Sequence, residues 1–134
     1  MQYDEFITRV QEEAELDDRE EAETITEATL ETLSERLTRM ERRNVIAELP
    51  DELKEFLWKR EETTRFLLDE FYNRVAARAD LRAPEAVRRS QAVMTVLMEA
   101  ISPGQINAVM NELPEEYQEI FTGIPYGPGS PSAE

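Results

Sequence analysis

The sequence predicts an all-α protein in which one helical unit occurs twice in tandem, packed as a single bundle with approximate two-fold symmetry. Three observations predict it. Apolar residues recur at three- and four-residue spacing, the alternation that strands need is missing, and strings from the first half return in the second. Asp4-Glu5-Phe6 returns as Asp69-Glu70-Phe71, Arg9-Val10 as Arg74-Val75, and Ala14 and Leu16 as Ala79 and Leu81. One residue is then dropped, and Glu21-Ala22 returns as Glu85-Ala86, Leu33 and Glu35 as Leu97 and Glu99, and Glu48-Leu49-Pro50 as Glu112-Leu113-Pro114. Residues 1–64 form the first unit and residues 65–122 the second, and the Gly/Pro/Ser-rich residues 123–134 read as a disordered tail.

Each unit reads as four helical segments. The first covers residues 4–15, with Phe6, Val10 and Ala14 on one face, and its copy carries Phe71, Val75 and Ala79. The second covers residues 19–37. Asp18 with Glu21 three residues on marks its start, and in the copy Pro84 occupies the first turn, where proline is tolerated. The third opens at Thr38 with Glu41 three residues on, or at Ser102 with Gln105, and ends before Leu49-Pro50, because the residue before proline is pushed out of helical geometry. The fourth opens at Pro50, with Asp51 and Glu52 complementing the positive helix end and Leu53, Phe56 and Leu57 as its apolar edge. Tyr117, Ile120 and Phe121 are the counterparts in the second unit. A single unit of this size is marginal alone, so each half is expected to bury the apolar side of the other. Arg9 and Arg74 are expected to pair with neighbouring acids or across the seam between the units.

Composition narrows the function. The net charge of -15 opposes binding to phosphate backbones, so nucleic acid is not an expected partner. No apolar run reaches the roughly 18 residues a membrane span needs, and the first residues lack signal-peptide character, so a cytoplasmic location is the expectation. The chain has no cysteine and no histidine, which removes disulfides, thiolate chemistry, imidazole-based triads and the usual transition-metal ligands. None of the glycines forms a phosphate-cradling loop. With 30 acidic residues, paired carboxylates have no specificity as a signal of acid–base catalysis. No catalytic residue, metal site or cofactor is therefore expected.

Three surfaces remain. Glu23, Glu27, Glu31 and Glu35 stand in strict four-residue steps. The plain expectation is a solvated face opposite Ala22, Ile25, Thr29 and Leu33, the sharper one a cation-binding ridge. The segment from Ala92 to Ile101 is apolar nearly all round, so it is either central or covers a partner, and Met94 and Met98 could line an adaptable groove. Arg39, Arg42 and Arg43 form the main basic cluster. They are expected to pair with the abundant surface glutamates, or else to hold a partner's carboxylate or phosphate. These five residues, Met94, Met98, Arg39, Arg42 and Arg43, are the candidate interaction surface.

The order Asp-Glu-Phe, Arg-Val, Glu-Leu-Pro and a following acidic turn, in both units, resembles the bacterial and archaeal family called domain of unknown function 2267, across residues 3–121. The resemblance implies a small helical protein and brings no catalytic residues with it. Leu67 departs from the pattern, because a small polar cap is expected before the helix that opens at Leu68. The functional expectation is a non-catalytic protein–protein interaction or scaffolding module, with self-association possible. The alternative is a small-molecule or cation-binding regulator using a cleft between the units.

Overall fold

The computed structural model describes residues 1–60 and 62–125, and these residues are helical with no strand among them. In order come α1 (Tyr3–Glu13), α2 (Arg19–Arg36), α3 (Arg39–Ala47) and α4 (Asp51–Trp58). After an irregular connector follow α5 (Leu68–Ala79), α6 (Ala83–Ala100), α7 (Pro103–Glu112), a 3-10 turn (Glu115–Tyr117) and α8 (Gln118–Thr122). The expected tail lies almost wholly in residues 126–134, outside the described residues.

Helix starts fall where the capping residues place them. The side chains of Asp18, Thr38 and Ser102 each accept from the amide three residues on, which satisfies one of the free N–H groups of the first turn. Leu67 has no such side chain. The Leu68 amide instead donates at 2.7 Å to the carboxylate of Glu116, far along the chain, so a tertiary contact supplies the missing cap. Both first helices end through a left-handed residue, Glu15 (φ 55°) and Asp80 (φ 56°). Each turn is closed by the following amide: Leu16 donates to the Gln11 carbonyl and Leu81 to the Ala76 carbonyl, both at 2.9 Å. Glu15 and Asp80 are matched positions in the comparison of the two sequence segments.

Packing follows the same correspondence. Within halves α1 packs on α2 and α5 on α6, while α4 packs on α2 and α8 on α6. Between halves α1 packs on α6 and α5 on α2, and α2 meets α6 and α3 meets α7. Exchanging α1 with α5, α2 with α6, α3 with α7 and α4 with α8 maps this set onto itself, whereas the packing of α4 on α3 and on α1 has no equally extensive image at α8. Phe6, Ile7, Val10, Phe71, Val75, Leu33, Val93 and Leu97 are all buried in the one core that results.

The interior holds one helix that the sequence places there and one that it does not. The apolar second half of α6 is central, as its composition predicts, with Val93, Met94 and Val96 at 0% exposure. The charged α2 is no less central: every residue from Ala28 to Arg36 is buried. The described residues of the connector, 59–60 and 62–67, form a loop. It is pinned to α2, because the Arg36 Nε donates to the Phe66 carbonyl at 2.8 Å and the Thr64 amide donates to the Glu35 carbonyl at 2.7 Å.

Candidate functional site

The glutamate stripe of α2 is not a solvated face. Lys59 donates to Glu27, and Tyr3 donates to Glu23. Glu31 is 9% exposed and accepts two bonds from Arg60, with Arg78 at 3.4 Å. Glu35 is 8% exposed and accepts from Arg78 at 2.5 Å and Arg74 at 3.0 Å. The arginines come from α5 and the connector, which the four-residue spacing within α2 cannot reveal. Burial pushes the Glu35 carboxyl up, but the hydrogen bonds and charges of Arg78 and Arg74 more than reverse this, and the group titrates below its ordinary range. Arg74 also lies over the Phe66 ring at 4.2 Å. These two carboxylates are held by guanidinium donors, and through Arg74 and Arg78 of α5 they fasten α2 to α5. Among the described residues no group of three or more acids is gathered closely enough to hold a metal ion.

A second acidic site lies at the seam where the first turns of α2 and α6 meet. Asp18, Glu20, Glu21 and Thr24 from α2 face Ala79, Leu81, Glu85 and Arg89 across a cleft of about 430 Å3. Glu21 and Glu85 are corresponding positions in the two halves. Arg89 lies 3.7 Å from each, so one guanidinium offsets two carboxylates that the fold brings together. Ile25 is the counterpart of Arg89 in the first half, so the bridge is made once.

The five candidate surface residues separate. Met94 has no exposed surface and belongs to the core, and Met98 packs partly buried against it. Both fill space between helices, and no groove is open at Met94. Arg42 is 1% exposed, with its guanidinium donating to the carbonyls of Arg60 and Leu37. It ties α3 to the connector and leaves the candidate surface. Arg39 and Arg43 remain, one turn apart on the outward face of α3. The expected pairing with surface glutamates is not found for these two: among the described residues no carboxylate lies within ion-pair distance of either. Met40, 69% exposed, lies between them in the chain, and Trp58 at the end of α4 is 46% exposed. Arg39 lines two shallow depressions, one shared with Arg42, Trp58 and Glu62, the other with Met40, Arg43 and Asn44. Trp58 and Met40 thus flank Arg39. Neither belongs to the sequence-derived set, although the single tryptophan of the chain in an otherwise polar stretch was the available signal.

Residues 3–120 match the family described as an uncharacterized conserved protein, DUF2267. The chain belongs to this family. The match spans α1 to α8 and so takes in both the glutamate–arginine seam and the α3 surface, and it agrees with the resemblance carried by the Asp-Glu-Phe and Glu-Leu-Pro strings. No curated protein matches the chain. No helix among the described residues is long and apolar enough to cross a membrane.

Proposed function

We propose that this DUF2267 chain is a non-catalytic helical interaction module, acting in the cytoplasm, that engages protein through the face formed by α3 and the end of α4. One observation carries the reading: Arg39 and Arg43 stand exposed without an acid partner among the described residues, beside exposed Met40 and Trp58. Trp, Met and Arg are the residues enriched at protein interfaces, and a guanidinium beside an indole can gain affinity once water is excluded. The second half supplies an internal comparison. We read residues 1–64 and 65–122 as tandem copies, a reading supported by the exchange symmetry of the packing and the matched left-handed helix ends. The counterparts of Arg39, Met40, Arg43 and Trp58 are then Pro103, Gly104, Asn107 and Thr122. The fold is built there without arginine, methionine or tryptophan, so the α3 set is not a requirement of folding.

The alternative, a small-molecule regulator, would use the cleft at Glu21, Glu85 and Arg89. In that cleft the one guanidinium, Arg89, is already engaged by Glu21 and Glu85 and is not free to take up an anionic metabolite, which favours the interaction reading. The test is affinity capture with the wild type and with a Met40→Ser/Trp58→Ser variant, each checked for an unchanged melt. The reading expects a protein retained by the wild type and lost by the variant. Identical capture by both, or thermal stabilisation by a metabolite that Arg89→Leu abolishes, would transfer support to the cleft.

A further inference from the structure

The outward side of α4 carries a charge gradient that makes the α3–α4 face complementary to itself. Asp51, Glu52, Glu55, Trp58 and Lys59 are the exposed residues of α4 and its end, and at 100° per residue they fall on one side of the helix. Asp51 is paired with Lys54, and Lys59 with Glu27. Glu52 and Glu55 make no ion pair among the described residues, nor do Arg39, beside Trp58 at the other end, and Arg43, one turn further along α3. The stripe therefore starts with two unmatched carboxylates and ends beside the unmatched guanidinium of Arg39, with that of Arg43 one turn along α3. The ends lie about 10 Å apart, at ~1.5 Å rise per residue. Near the acidic end Tyr3 and Phe56 line a depression with Asp51, Glu52 and Glu55, which offers aromatic surface to an incoming arginine.

We infer that the occupant of this face is a second copy of the chain, docked with its α4 antiparallel to the first. In that arrangement Glu52 and Glu55 of one copy lie opposite Arg39 and Arg43 of the other, and two-fold symmetry makes the contact twice. Trp58 and its symmetry mate lie on either side of the axis. A parallel arrangement would set like charges against each other. The net charge of -15 opposes association at long range. At physiological ionic strength the screening length is ~8 Å, so the charges in direct apposition decide the outcome. The inference rests on the surface chosen under the interaction reading and adds the identity of the partner.

The test is sedimentation equilibrium on the full chain and on two charge-reversed variants, Arg39→Glu/Arg43→Glu and Glu52→Arg/Glu55→Arg, with circular dichroism confirming that each is folded. The wild type is expected to dimerise, and each variant alone to weaken dimerisation by at least ~100-fold, in line with like-charge apposition made twice. A 1:1 mixture of the two variants is expected to restore a dimer, because each then presents unpaired charges of a single sign and the two signs are opposite. A wild type that stays monomeric at on the order of 1 mM, the weak end of specific affinity, overturns the inference. So does a dimer that both variants keep, or a mixture that stays monomeric. A monomeric wild type leaves the capture experiment free to succeed with another protein, so the two readings fail separately.

Discussion

The guanidinium of Arg74 donates to the carboxylate of Glu35 at 3.0 Å, and this bond has a counterpart with the halves exchanged: Arg9 donates to Glu99 at 2.7 Å. The two contacts differ in setting. The Glu35 side chain is 10% exposed and shared by Arg74 and Arg78, whereas that of Glu99 is 38% exposed. Removing one partner of a buried pair leaves a desolvated charge behind, while an exposed pair is screened by water. Glu35→Gln is expected to destabilise the fold by about 2 kcal/mol and Glu99→Gln by about 0.5 kcal/mol. Urea denaturation of the two variants checks the order, and equal losses would contradict it.

The pH dependence follows from the same carboxylate. The folded chain holds Glu35 below its ordinary pKa, through Arg78 and Arg74 acting against burial. The folded state therefore binds this proton more weakly than the unfolded one. The stability that Glu35 adds is fully present above the unfolded value of about 4.3 and is lost as pH falls through the lower folded value. The gap in melting temperature between wild type and Glu35→Gln is expected to be constant near neutrality and to close below about pH 4. A gap that does not narrow at all as the pH is lowered would show that the loss is one of packing.

Thr29 lies at the centre of α2 with 0% exposure, and its hydroxyl has no partner. The corresponding residue of α6 is Val93, also fully buried. Thr29→Val removes an unpaired polar group at almost constant volume and is expected to stabilise the fold by about 1 kcal/mol. Thr32→Val is the control. Its hydroxyl donates to the Ala28 carbonyl and accepts from Arg78, so the same change is expected to destabilise. Calorimetric melts of the two variants should move in opposite directions.

Glu15 adopts φ 55° to end α1. A side chain in the left-handed region carries a steric penalty that glycine lacks. Glu15→Gly is expected to raise stability by about 1 kcal/mol, because the turn bond from the Leu16 amide is kept and the strain is relieved. The corresponding Asp80→Gly should gain less, since aspartate tolerates this region better than glutamate does. Chemical denaturation of both variants gives the comparison.

Much of the architecture was legible in local chemistry. Asp18, Thr38 and Ser102 announce their helices because a cap acts within three residues. Phe6, Val10, Phe71 and Val75 announce a buried face because period and burial go together. The left-handed ends at Glu15 and Asp80 were hidden, since neither is glycine or asparagine. The start of α5 at Leu68 was legible from Asp69-Glu70-Phe71, but its cap was hidden, because Glu116 supplies it from a distant part of the chain. The candidate site divided for the same reason. Met94, like Arg42, was chosen on residue type alone, and tertiary packing buried both. Nothing within α2 reveals that Arg60, Arg74 and Arg78 converge on its glutamates, and Trp58 becomes part of a surface only when α3 lies beside the end of α4.

The connector fastened to α2 by Arg36, Thr64 and Phe66 separates two pieces whose facing sides carry reciprocal recognition chemistry. A chain cut within residues 59–67 would yield two polypeptides, each displaying the arginine that the other's glutamate accepts. Such a pair is suited to fragment complementation, with reassembly on mixing as its own reporter.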